Sequence, residues 1–377
     1  MAIIGWILLA AGTHAAPRAV AIESVSVSRP FFNPTQGQKI RISFAVGSVG
    51  ELTIVILDRD GFPVRRLVLE QAVQAGNVLY DWDGKDDSGQ VVPDEAYSLK
   101  IDLASQGGAA TYFPASSPAS AVEAGLGYYD RRTAVLSYRL PVAARVHIQA
   151  GLARADEKSG ERSGPVLKTL VNREPRPAGS DIETWNGLDE TGAYYVPDLP
   201  GFVMAIAATS LPENSIITVG NNRQPFIEWA HDRPGKSLLG DTAPDHRHHN
   251  GLSVFDDLSP SLAVHPSNAR QSGKGNGWRV DGPLLRGSLS LQGPSKRHFA
   301  EQPGALLIFV DDREILVEKA PSDGMAFEVR VSELSPGEHI VAFDWVSDYG
   351  PVAVTSLLID VPGPTPGSTS SVGGKRQ

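Results

Sequence analysis

Apolar and polar residues alternate with a period of two along much of the chain, the pattern of strands with one face buried. The clearest run is Ile40-Arg41-Ile42-Ser43-Phe44-Ala45-Val46, and Ala134-Val135-Leu136-Ser137-Tyr138-Arg139-Leu140 repeats it. Leu52–Leu57 and Arg145–Ile148 read as the strand that follows in each case. Asn214–Val219 reads as one more strand. Farther on, Ala305–Val310 and Glu314–Val317 flank Asp311-Asp312 as a hairpin. Phe327–Val331 alternates, Pro336-Gly337-Glu338-His339 is a turn, and His339–Trp345 and Val352–Val361 close the series. Short strands punctuated by turns predict an all-β fold, built as tandem immunoglobulin-like or fibronectin-like β-sandwiches joined by loops.

Two of these sandwiches are copies. Leu67-Val68, Ala75-Gly76 and Trp82-Asp83-Gly84-Lys85-Asp86-Asp87-Ser88-Gly89 recur as Leu170-Val171, Ala178-Gly179 and Trp185-Asn186-Gly187-Leu188-Asp189-Glu190-Thr191-Gly192, each 103 residues later. The second copy carries an insertion, Asp156–Gly164, whose charge places it at a loop tip. The repeated residues read as architecture. Each Trp is a large core side chain, the Asp/Asn-Gly pair suits a turn with positive φ, and Asp86 and Asp189 are placed to accept backbone N–H groups. Asp81-x-Asp83-x-x-Asp86-Asp87 has the look of a calcium loop. Yet its sixth position is Asp86 rather than Gly, its twelfth is Val92 rather than Glu, and the second copy has Thr184 and Asn186.

The ordered landmarks of the first copy resemble a known module. Phe32-Asn33-Pro34-Thr35, Gly50-Glu51-Leu52-Thr53-Ile54, Asp60-Gly61-x-x-Val64-Arg65-x-Leu67, Ala75-Gly76, Trp82-Asp83-Gly84-x-Asp86-x-x-Gly89 and Asp94-x-x-Tyr97 are similar to the FlgD-type immunoglobulin-like domain over about residues 22–105. Residues 127–210 resemble it more loosely, without the Phe-Asn-Pro-Thr opening or a clear counterpart of Tyr97. The resemblance implies a small all-β sandwich with no catalytic residues, found in flagellar hook-capping proteins and as an accessory module of exported bacterial proteins. The beginning of the chain fits the second setting. Ala2–Gly12 is an apolar run of signal-peptide length followed by small residues, although no Lys or Arg precedes it.

The chain thus divides into a signal peptide (1–21), a first FlgD-like sandwich (22–106), a divergent second one (107–220) and a His/Gly-rich linker or loop region (221–283). A third Ig-like sandwich (284–362) and a disordered tail (363–377) complete it. With 38 Gly and 28 Pro among 377 residues, the composition suits many turns. A net charge of −9 argues against nucleic-acid binding, which needs a basic face. The absence of cysteine removes disulfides, iron–sulfur clusters, zinc fingers and thiol catalysis. No run is long and apolar enough for a transmembrane helix.

Candidate chemistry concentrates in Asp245-His246-Arg247-His248-His249-Asn250. His246, His248 and His249 are candidate ligands for zinc, copper or nickel, with His231, His265, Asp241 or Asp245 available to complete a set; the alternative is a solvated His-rich loop. The zinc-protease helix, the nucleophile elbow and the P-loop are absent. Asp256-Asp257 and Asp311-Asp312 read as turn residues rather than an acid–base pair. Arg270, Lys274, Arg279, Arg286, Lys296 and Arg297, opposed only by Asp281, form a basic stretch that reads first as a solvated charged face, with an anionic surface glycan or a protein as the alternative partner. Tyr128-Tyr129 and Tyr194-Tyr195 are the aromatic pairs to test as a sugar-stacking platform, against the favoured reading of core or interface packing. The leading functional reading is an exported, non-enzymatic structural, assembly or adhesion protein of the bacterial envelope. It would act through contacts with other proteins or by self-assembly. Metal binding and carbohydrate binding are the alternatives.

Overall fold

The computed structural model describes residues 20–155, 162–231, 235–239, 261–272, 276–293, 296, 304–347 and 350–363. The expected signal peptide falls outside them. Among the described residues strand accounts for 58% and helix for 5%, in several separate sheets without a barrel. The fold is all-β, as the alternating pattern requires. The described residues divide into two compact units, one formed by residues 20–116, 213–223 and 235–238 and the other by the remaining described residues.

The first unit opens with β1 (Ile22–Val27), β2 (Phe31–Phe32), β3 (Ile40–Val46) and β4 (Gly50–Leu57), followed by β5 (Pro63–Val73), β6 (Gly76–Trp82), β7 (Ala96–Ser105) and β8 (Gly108–Tyr112). One sheet has the order β1-β3-β6 and the other runs through β7-β4-β5, with β8 on β7. Ile40, Ile42 and Phe44 from one sheet meet Leu52, Ile54, Ile56, Leu99 and Ile101 from the other, all buried. Alternation puts these residues on the inner faces and Arg41, Ser43 and Ala45 outside. Trp82 is fully buried, edge-on to Phe32 at 5.7 Å and to Tyr97 at 5.4 Å. Tyr97 closes the end of the sandwich by donating its hydroxyl to the Pro93 carbonyl at 3.0 Å. Gly84 sits at φ +72°, and a Cβ there would overlap the Pro34 ring, so this turn needs glycine twice over.

The second copy contains β9 (Ala121–Val122), β10 (Gly125–Asp130), β11 (Val135–Leu140), β12 (Ala144–Leu152), β13 (Arg154–Ala155), β14 (Arg162–Ser163), β15 (Val166–Arg176), β16 (Gly179–Thr184) and β17 (Phe202–Ser210). Its sheets, β10-β11-β16 and β15-β12-β17-β9, repeat β1-β3-β6 and β5-β4-β7 strand for strand. The charged insertion follows β13, and β14 near its end pairs back onto β13.

Next, β18 (Ile216–Thr218) meets the strand expectation at Asn214–Val219 but not the expected grouping with residues 107–220. It lies in the first unit, between β2, to which it is parallel, and β7, to which it is antiparallel. Ile216, Ile217 and Thr218 are all buried there, which is why two isoleucines stand side by side instead of alternating with polar residues. Residues 108–116, including β8, also belong to this unit rather than to the second sandwich.

After a short helix, α1 (Phe226–His231), the third sandwich begins with β19 (Ser261–Pro266), β20 (Ala269–Gln271), β21 (Trp278–Val280) and β22 (Leu284–Gln292). It continues with β23 (Ala305–Val310), β24 (Arg313–Glu318), β25 (Ala326–Arg330), β26 (Gly337–Ser347) and β27 (Gly350–Val361). The sheets are β19-β22-β25 and β20-β21-β27-β26-β23-β24. This corrects the expected linker at 221–283, because residues 261–283 fold into the third sandwich and Leu262 and Val280 are part of its core. Their polar neighbours, His265, Asn268, Arg270 and Asp281, lie at the surface and mask the strand pattern.

Within the second unit the second and third sandwiches are fused. Leu152, Leu167, Trp185 and Val196 of one and Phe309, Ile340 and Ala342 of the other form a single buried cluster. On β23, Leu306, Ile308 and Val310 face the third sandwich's own core, whereas Phe309 faces the second sandwich.

Candidate functional site

The repeated Trp-Asp/Asn-Gly loops are positioned the same way in both copies. Trp82 Nε1 donates to the Lys85 carbonyl at 2.9 Å, and Trp185 Nε1 to the Leu188 carbonyl at 2.8 Å. Asp86 Oδ1 accepts from Ser88 N, Ser88 Oγ and Gln90 N. Asp189 accepts from Thr191 N, Thr191 Oγ1 and Ala193 N. Asp81 pairs with Arg41, Asp83 caps Lys85 N, and Asp87 pairs with Arg66. The carboxylates of the calcium-like spacing therefore point to separate partners. Among the described residues no group of three or more His, Asp or Glu side chains is arranged to hold a metal. His246, His248 and His249 lie outside the described residues, so the proposed zinc or copper ligands have no structural account.

The two loops differ in what surrounds them. Asp86 stands near solvent, but Asp189 is only 3% exposed because its loop is pressed against the third sandwich. There Ser356 Oγ donates to Asp189 Oδ2 at 2.9 Å, and Tyr194 OH donates to Ser356 Oγ at 2.8 Å. Burial and the nearby Asp189 carboxylate push the Tyr194 phenol well above its ordinary pKa, so it stays a donor. On the neighbouring strand, Asp344 Oδ2 accepts from Val166 N at 2.8 Å. Asp344 Oδ1 has no hydrogen-bond partner among the described residues. Complete burial raises the Asp344 pKa strongly, favouring the neutral acid.

Beside this junction lies a cleft of about 570 Å³. The second sandwich contributes Glu174 and Glu190, the third contributes Asn276 and Trp278, and Thr355 and Ser356 of β27 line it as well. Composition and motif spacing gave no hint of it, because its wall is assembled from two sandwiches.

The tyrosine pairs do not form a stacking platform. Tyr129 packs on Trp185 at 5.1 Å and donates its hydroxyl to the Trp185 carbonyl at 2.8 Å, and its pKa is pushed to about 12, chiefly by burial. Tyr194 is committed to Ser356, and the Tyr195 ring fills the space above Gly187. Tyr128 alone is open, at 70% exposure. Within the basic stretch Arg270 pairs with Asp281, Arg286 with Glu328 and Lys296 with Asp323, and Arg279 is exposed on β21. Lys274 and Arg297 lie outside the described residues.

One triple mimics a hydrolase. His339 Nδ1 lies 2.8 Å from Asp311 Oδ2, and His339 Nε2 lies 3.3 Å from Ser335 Oγ. However, Nε2 also lies 2.9 Å from the Ser335 carbonyl, which can only accept. Nε2 therefore carries a proton and is not free to take one from the serine. Burial lowers the His339 pKa, but the bonds to Asp311 and to the Ser335 carbonyl outweigh it and the net shift is upward. This histidine clasps two turns together.

With this geometry in view, the comparisons fall into place. Residues 32–107 match the FlgD Ig-like domain family. The match lies within the first unit, from the Phe32 strand to the end of β7, and it includes Trp82 and Tyr97. No curated protein matches the chain. A solved structure described as a biofilm associated protein, BSP domain, aligns over 94% of this chain and 84% of its own at 8% identity, with a TM-score of 0.19. That score is too low to support an argument from it. Among the described residues no helix is long and apolar enough to cross a membrane.

Proposed function

We propose that this chain is an exported, non-enzymatic scaffold or adhesion protein of the bacterial cell envelope, working through protein contacts of its Ig-like modules. The observation that carries this reading is what becomes of the repeated polar motif. In the first copy its acids are used on turns and surface pairs, and in the second Asp189 docks a further sandwich. In neither copy is the motif's chemistry left for catalysis: it holds turns in the first and joins two modules in the second. The match of residues 32–107 to the FlgD Ig-like domain family supports the same reading. Its partners are other envelope proteins or further copies of the chain.

The test is cell fractionation combined with cross-linking in intact cells of the source. The scaffold reading expects the processed chain in the envelope or the medium, with the 1–21 segment removed, and expects discrete cross-linked species. Recovery of the full-length chain from the cytoplasm would overturn the export reading. A monomer that cross-links to nothing in the envelope would overturn the contact reading.

A further inference from the structure

We propose that the cleft between the second and third sandwiches binds a neutral, hydroxyl-rich saccharide. The inference goes beyond the scaffold reading and does not depend on it. At about 570 Å³ the cleft is within the size range of small-ligand sites, roughly 300–1,000 Å³. Its walls belong to one compact unit, held by the shared core around Trp185 and Phe309. The site is therefore built before any ligand arrives, which lowers the ordering penalty of binding.

The lining selects the ligand class. Glu174 and Glu190 offer carboxylate acceptors, and each is already oriented by a cation: Arg176 Nη2 holds Glu174 at 3.0 Å and Lys168 Nζ holds Glu190 at 3.2 Å. Glu190 is fixed further by the Thr169 N–H at 3.4 Å. Both carboxylates remain open to solvent, at 58% and 39% exposure, so lone pairs are left for a ligand. Neither Lys168 nor Arg176 is part of the lining, and no other Lys or Arg is. An anionic ligand would meet two carboxylates and no cation. A purely apolar ligand would strip water from those carboxylates without replacing its hydrogen bonds.

Trp278 supplies the other half of the site. Its indole is half-buried, packed on one side against the third core, and it lines the cleft beside Asn276. An aromatic face flanked by amide and carboxylate groups suits a pyranose ring, which presents C–H bonds on one face and hydroxyls around its rim. The Asn276 amide has two N–H donors and one acceptor, and it spends one N–H on the Ala193 carbonyl at 3.3 Å. The remaining donor and acceptor match the dual character of a sugar hydroxyl.

The test is isothermal titration of the full chain with neutral hexasaccharides (glucan, mannan, xylan and chitin types), with hexagalacturonate and an Arg/Lys-rich extended decapeptide as comparators. At least one neutral hexasaccharide is expected to saturate with one site per chain. Trp278→Ala should weaken it at least tenfold and Glu174→Gln several-fold, whereas Ile182→Ser, on an exposed strand away from the cleft, should leave it unchanged. Should Trp278→Ala lose its cooperative melt, Asn276→Ala provides the second reading, with an expected several-fold loss in a folded protein. No saturable heat from any neutral hexasaccharide at millimolar concentration would overturn the proposal. So would binding that none of the cleft variants alters, tighter binding of hexagalacturonate, or binding of the peptide alone. None of these outcomes bears on the fractionation test of the scaffold reading.

Discussion

The Asp189 carboxylate accepts a hydrogen bond from Ser356 Oγ at 2.9 Å across 167 residues of sequence. Its counterpart in the first copy, Asp86, makes the same turn bonds but reaches no other domain. Replacing Asp189 with Ala removes the acceptor of Ser356 Oγ, Thr191 Oγ1 and the Thr191, Ala193 and Tyr194 N–H groups, around a carboxylate that is itself buried. At about 1–3 kcal/mol for each buried polar group left unpaired, Asp189→Ala is expected to destabilise the second unit by roughly 3 kcal/mol or more. Asp86→Ala, whose orphaned donors reach water, is expected to lose only about 1 kcal/mol. Urea denaturation of the two variants checks this, and equal losses would remove Asp189 from the junction.

Asp344 makes the same junction sensitive to alkali. Its folded pKa is raised above the unfolded value near 4 by complete burial, so the folded state holds a proton that the unfolded state releases. Stability is therefore highest at low pH and falls as pH rises from about 4 toward the folded value. Asp344→Asn keeps a carbonyl for Val166 N–H and removes the titration. The variant should match the parent near pH 4 and exceed it increasingly toward pH 8 in thermal melts. Parallel pH profiles would show that Asp344 is not protonated in the fold.

How far the sequence could be read follows from the same residues. The alternation of β3 and β11 and the repeated Trp loops depend on local geometry, so the all-β fold and the two copies were legible. The placement of β18 was not. Its two isoleucines and threonine state only that the strand is buried, and partner choice rests on the vacant position between Phe32 and Tyr97. The strands at 261–280 were hidden because they are short and carry many exposed polar residues, β19 and β20 standing at sheet edges. The cleft was invisible for a different reason: Glu190 and Trp278 are 88 positions apart in sequence and meet only once Asp189 and Ser356 have joined their sandwiches.

His339 should act as a charged clasp between the Asp311 hairpin and the Ser335 turn. Its folded pKa is raised, so its contribution is fully present below the unfolded value near 6.5 and is lost as pH rises through the folded value. His339→Gln should abolish that part of the pH dependence between about pH 6 and 8, leaving a flatter stability profile. Proton NMR titration of the His339 ring gives the folded pKa directly. A value at or below the ordinary histidine range would contradict the clasp and reopen Nε2 as a base toward Ser335.

The first sandwich should depend on a strand that arrives after the whole of the second copy. Among the described residues β2 has β18 as its only strand partner, and Ile216 and Ile217 are buried beside Tyr97. Thr218 Oγ1 donates to the Pro93 carbonyl at 2.8 Å and accepts from Glu95 N at 3.1 Å. Asp94 then accepts from the Gly220 and Asn221 N–H groups at 2.9 and 2.7 Å, fastening the segment at its far end. Burying two isoleucines contributes roughly 3–6 kcal/mol, a large share of a small domain's stability. A fragment of residues 20–116 is therefore expected to melt well below the same fragment carrying residues 213–223 on a Gly/Ser linker. In the full chain, Ile217→Ser should destabilise the first unit by about 3 kcal/mol while the second unit's transition stays in place. If residues 20–116 alone melt as cooperatively and as high as the linked form, β18 is an accessory to the sandwich rather than one of its strands.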